Sequence, residues 1–96
     1  MTRTEFDTAL ATGIFPPDEN VLLHALFHDA RGDWEAAHDI AQSREGTPLY
    51  DHLHAYLHRK EGDTWNANYW YIRAKTTMPN LTLQQEWARL VELFSN

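Results

Sequence analysis

The chain has 96 residues, with 8 Lys and Arg against 14 Asp and Glu, a formal net charge of -6 and a pI near 5.3. That length predicts a single domain with a modest core, and the acidic balance excludes a nucleic-acid backbone or an anionic membrane surface as the main partner, because both reward clustered cations. The absence of cysteine excludes a disulfide framework, a thiol nucleophile and a thiolate zinc site, so any metal ligands must be histidines and carboxylates.

Helical periodicity runs through the whole chain, and no stretch alternates as a half-buried strand does. A short first helix is expected from about Thr4 to Ala11, with Phe6, Ala9 and Leu10 on one face, a Thr2/Glu5 capping box and Gly13 as its stop. Pro16-Pro17-Asp18 restarts the chain into a helix over Asp18 to Ala30, whose stripe is Leu22, Leu23, Leu26, Phe27 and Ala30. Gly32-Asp33 is the next turn, and Asp33 caps a helix beginning at Trp34, with Ala37, Ile40 and Ala41 inward. Thr47-Pro48 opens a helix to about Lys60 with Leu49, Leu53, Tyr56 and Leu57 inward. Gly62-Asp63 repeats the turn before a helix from Thr64 to about Thr76, so aromatic that more than one of its faces should be covered. Pro79-Asn80 breaks it, and Thr82/Gln85 caps a single-sided last helix bearing Leu83, Trp87, Leu90, Val91 and Phe94. No apolar run reaches the roughly 18 residues of a membrane span, and Met1-Thr2-Arg3-Thr4-Glu5-Phe6 lacks the apolar segment of a secretory signal, so a cytoplasmic location is expected.

Leu23, His24, Ala25, His28, Gly32, Asp33 and Ala37 recur as Leu53, His54, Ala55, His58, Gly62, Asp63 and Ala67, at one constant offset of 30 residues. A fixed period of that size implies stacked supersecondary units that cannot bury their apolar faces alone. Gly62-Asp63 followed by Ala67, Tyr71, Ala74 and Pro79 resembles the second half of a tetratricopeptide or Sel1-like unit, and Gly32-Asp33-Trp34-Glu35-Ala36-Ala37 resembles the same turn and helix start. The likeness covers roughly residues 18 to 79, and it departs in having a shorter unit and histidines at 24, 28, 54 and 58, where the family places large apolar residues. The strings around His28 to Trp34, His54 to Asp63 and Asn66 to Tyr71 also resemble a family of small uncharacterised bacterial proteins. The resemblance implies an all-α domain over 1-96: hairpin one at 18-46, hairpin two at 47-79 and a capping helix at 81-95, preceded by a short N-terminal helix.

Four of the six histidines form two i,i+4 pairs, His24/His28 and His54/His58, each pair on one helical face about 6 Å apart along the axis. The repeat suggests that the pairs line a groove between the first helices of the two hairpins. Three uses are open: hydrogen bonding between packed helices, a peptide or ligand groove, and a divalent-metal site with His24, His28, His54 and His58 as ligands and Asp29 or Asp51 assisting. A zinc-peptidase pattern is excluded because Ala25 and Ala55 stand where its glutamate must be, and His28-Asp29 or His38-Asp39 alone does not supply the ligands of a metal-dependent phosphohydrolase.

No Gly-rich phosphate loop or activated-serine motif is present, which weakens every enzyme reading. The leading expectation is a non-enzymatic helical-repeat module, without cofactor, binding a peptide, protein or small ligand through His24, His28, Trp34, His54, His58, Arg59 and Tyr69. The alternative is a metal-binding protein or metal-dependent hydrolase using the paired histidines, and a third reading is self-association as a homodimer. Arg59 and Arg73 are the cations placed to meet an acidic group, since both neighbour the aromatic and histidine residues.

Overall fold

The computed structural model describes residues 1–17 and 19–95. Among them are six α-helices and no strand: α1 (Arg3–Thr12), α2 (Val21–Ala30), α3 (Trp34–Gln42), α4 (Pro48–Lys60), α5 (Thr64–Arg73) and α6 (Leu83–Phe94). None of these helices is long and apolar enough to cross a membrane.

The helix starts follow local chemistry. Thr2 and Glu5 form a complete capping box on α1, and Thr82 and Gln85 form another on α6, each satisfying orphan backbone N–H groups. The Gly32-Asp33 and Gly62-Asp63 turns are near copies. Both glycines have positive φ, 84° and 89°, and each aspartate N–H donates 2.9 Å to the oxygen five residues back, of His28 or His58. Each aspartate carboxylate then accepts from the N–H three residues on, at Ala36 or Asn66.

Several expectations need correction. Ala30, expected on the stripe of α2, is exposed, and Asp29 takes the buried position at that end. Helix α2 begins at Val21, not near the proline pair, because Asn20 caps it: its side-chain oxygen accepts from Leu23 N at 3.1 Å, while its amide donates to Phe94 O at 2.6 Å. The expected start at Asp18 lies outside the described residues. Leu49 is exposed, because in that first turn of α4 the buried Asp51 and half-buried Tyr50 take the inward positions. Helix α5 stops at Arg73, short of Thr76, where Lys75 adopts φ 63° and Thr76 N donates back to Tyr71 O; its outer stripe is bare, not covered.

Helix α3 packs on both α2 and α4, α5 packs on α4, and α1 packs on α2. Helix α6 lies across the seam between α2 and α4, where Trp87, Leu90, Val91 and Phe94 join Leu22, Leu23, Leu26, Leu53 and Leu57 in one core. One buried carboxylate fixes that crossing. Glu86, 1% exposed, accepts from Arg59 Nη1 at 2.8 Å and from Tyr71 Oη at 2.6 Å, with His52 Nε2 at 3.5 Å. Burial alone would raise its pKa; hydrogen bonds from His52, Tyr71 and Arg59, with the charge of Arg59, outweigh burial and hold it below the usual range. Nearby, Asp29 on α2 accepts from Tyr56 Oη at 3.0 Å and Lys60 Nζ at 2.8 Å, tying α2 to α4.

Removing one partner of a buried ion pair leaves the rest uncompensated, so Glu86→Ala is expected to cost about 3 kcal/mol in a urea melt. A Glu86→Leu/Arg59→Met double variant should lose less, since neither charge is then left unpaired.

Candidate metal centre

Helices α3 and α4 approach closely because the contact side of α3 is built on Ala37 and Ala41, both fully buried. His38 lies one turn beyond Trp34 on α3, and His54 and His58 lie one turn apart on α4. The close seam brings the three rings together. His38 Nε2 stands 3.0 Å from His54 Nε2, and one ligand nitrogen from each of His38, His54 and His58 lies within 4.8 Å of the others.

Aromatic rings wall the cluster. The Trp34 ring stacks on His38 at 4.7 Å and meets His58 edge-on at 6.0 Å, while its Nε1–H donates to Leu57 O at 2.9 Å. The Trp70 ring, from α5, stacks on His54 at 3.9 Å. His58 Nδ1–H donates to Glu61 Oε2 at 2.5 Å, which leaves Nε2 as the free ring nitrogen. A carboxylate behind a histidine is the usual outer support of a metal-ligating imidazole.

Burial favours the neutral form of two of the rings. Burial lowers the pKa of His54 to about 3, helped by the neighbouring His38 and His58. Burial and then His58 lower that of His38, against the opposing pull of Glu35, Asp39 and Glu61. Internal hydrogen bonding does not satisfy the group: among the described residues, His54 Nδ1 is buried with no hydrogen-bond partner. Whichever tautomer pairs Nε2 with His38, one polar nitrogen of His54 is left over.

The residues singled out from sequence divide into separate places. His54, His58 and Trp34 belong to the cluster. His24 and His28 stack on each other at 4.3 Å, with Phe15 stacked on His24 at 4.3 Å, and they join no group of three or more ligand atoms among the described residues. The two histidine pairs thus have different neighbours, Phe15 for His24 and His38 for His54 and His58. Arg59 is committed to Glu86 and to Leu81 O, and Tyr69 sits on the exposed face of α5, touching the cluster only through Trp70. Asp29 is taken by Tyr56 and Lys60, and Asp51 by Gly46 N, so neither assists the histidines. From sequence, His38 figures only within His38-Asp39 and not as a member of the cluster, although it stands i+4 from Trp34. Comparison with family models, with curated proteins and with solved structures returns no match.

The sign of the acid response follows from these shifts. A histidine whose folded pKa lies below its unfolded value of about 6.5 leaves stability intact above that pH and erodes it as pH falls toward the folded value. For His54 that window runs from about 6.5 down to about 3. Urea melts between pH 6.5 and 4.5 should show wild-type stability falling by up to about 1 kcal/mol per pH unit more steeply than that of His54→Leu. Parallel curves would contradict the neutral, buried state of His54.

Proposed function

We propose that this chain is a non-enzymatic, cytoplasmic module of two tetratricopeptide-like hairpins whose function is to hold a divalent transition-metal ion at His38, His54 and His58. The observation that carries the reading is the convergence of three imidazoles, two with depressed pKa values, at the α3–α4 seam. Neutral imidazole is the metal-binding form, so little proton release opposes binding near neutral pH. Two ligand nitrogens on a tetrahedral zinc ion stand about 3.4 Å apart, close to the 3.0 Å between His38 and His54. Glu61 supports His58, and water would complete the fourth position. All-nitrogen ligation favours zinc, nickel, cobalt or copper over magnesium or calcium, which prefer oxygen. The matching Gly-Asp turns support the repeat reading, since each closes a hairpin with the same hydrogen bonds.

A groove for a peptide between the first helices has less support, because α6 packs along that seam and Arg59 is bound within the fold. Hydrolysis at the metal also has less support, since Asp29 and Asp51, the expected assisting carboxylates, are hydrogen-bonded elsewhere.

Untagged protein titrated with zinc by calorimetry should take up about one equivalent, and free zinc at about 100 times Kd should raise unfolding stability by about 2.7 kcal/mol. His38→Ala should abolish that gain, while a His24→Ala/His28→Ala variant should keep it. Zinc uptake that survives His38→Ala, or no uptake by the wild type, would contradict the proposal.

A further inference from the structure

The outward face of α5 is apolar where the fold does not require it. Trp65 is 77% exposed, Ile72 73% and Tyr69 42%, and the three form one stripe at helical spacing. Thirty residues earlier, the same face of α3 carries Glu35, Asp39 and Gln42, all exposed. The hairpin architecture is thus compatible with a polar surface there, and the apolar residues are specific to α5. Ile14, Val21, Leu49 and Leu93 are also exposed, but they lie on other segments, whereas Trp65, Tyr69 and Ile72 form one stripe of one helix. A contiguous apolar patch marks a contact surface, and a largely exposed tryptophan is the commonest anchor of one.

We infer that a second copy of this chain docks on this face, with the two α5 helices antiparallel about a two-fold axis near Asn68 and Tyr69. Two features select that occupant. The stripe is self-complementary: a two-fold axis midway along it sets Trp65 of one copy opposite Ile72 of the other, and Tyr69 opposite Asn68, both of which are exposed. The ends of the helix carry opposite charge. Asp63 and Glu61 flank its N-terminal end, and the exposed Arg73 and Lys75 its C-terminal end, so antiparallel pairing brings each basic end against the acidic end of the other copy. Arg73 folds back over the Tyr69 and Trp70 rings, its Nη1 donating to Tyr69 Oη at 3.0 Å, so Lys75 is the cation that extends from this end. A parallel pairing would set like charges together at both ends.

Sedimentation of the full chain in chelator, so that the outcome is independent of any metal, tests this directly. The wild type should show a concentration-dependent monomer–dimer equilibrium that weakens with salt. Trp65→Ala should raise the dimer Kd about tenfold or more, with the thermal melt of the monomer little changed because the side chain is exposed. Lys75→Glu should also weaken the dimer, and adding Thr64→Lys, at an exposed position of the acidic end that leaves Glu61 on His58, should restore it. A wild type that stays monomeric throughout, or a dimer indifferent to Trp65→Ala, would overturn the surface; failure of the charge-swapped pair to recover would overturn the antiparallel arrangement.

Discussion

The fold hangs on one buried carboxylate. Glu86 projects from α6 into a site where Arg59 and His52 arrive from α4 and Tyr71 from α5, so a single residue draws three helices to one point. A charge so placed is tolerated only when its acceptor positions are filled, which makes the docking of α6 specific as well as apolar. With α6 held across α2 and α4, the apolar sides of those two helices are covered, and a cavity of about 210 Å³ opens where Asp29, Tyr56, Lys60, Gln84 and Trp87 meet. The junction between α3 and α4 is where His38, His54 and His58 meet.

That junction explains the chemistry. Small residues at Ala37 and Ala41 let α3 approach, and the approach buries His54 between His38 and the ring of Trp70. Burial, with the neighbouring imidazoles, then favours the uncharged form of His38 and His54, the form in which an imidazole nitrogen can accept. His54 Nδ1 is buried without a hydrogen-bond partner, and coordination through Nε2 would leave it so, which adds to the cost of burying this ring.

Much of the fold was legible because it rests on local rules: the two capping boxes, the glycine turns and the aspartate caps all depend on residues within a turn of one another. The site was legible only in half. The pairs His24/His28 and His54/His58 are identical in spacing, yet their neighbours differ: Phe15 covers the first, and α3 delivers His38 to the second. The repeat could not flag His38, because the position 30 residues later is Asn68. Glu86 had a signal that passed unread, since it falls on the stripe of Leu83, Trp87, Leu90 and Val91 where an apolar residue belongs. Arg59 was recognised as a cation in search of an acid, but which acid depended on how α6 crosses α4, a tertiary fact. The aromatic content of α5 misled in the opposite sense: Trp70 and Tyr71 are buried, whereas Trp65, Tyr69 and Ile72 face outward.

The central claim, that three particular imidazoles act together as a metal site, is tested most directly by following the ring nitrogens of all six histidines by NMR during a zinc titration. The account predicts that ring-nitrogen resonances of His38, His54 and His58 move together and saturate near one equivalent, while those of His24, His28 and His52 stay in place. Shifts confined to His24 and His28, or spread evenly over all six without saturation, would contradict it.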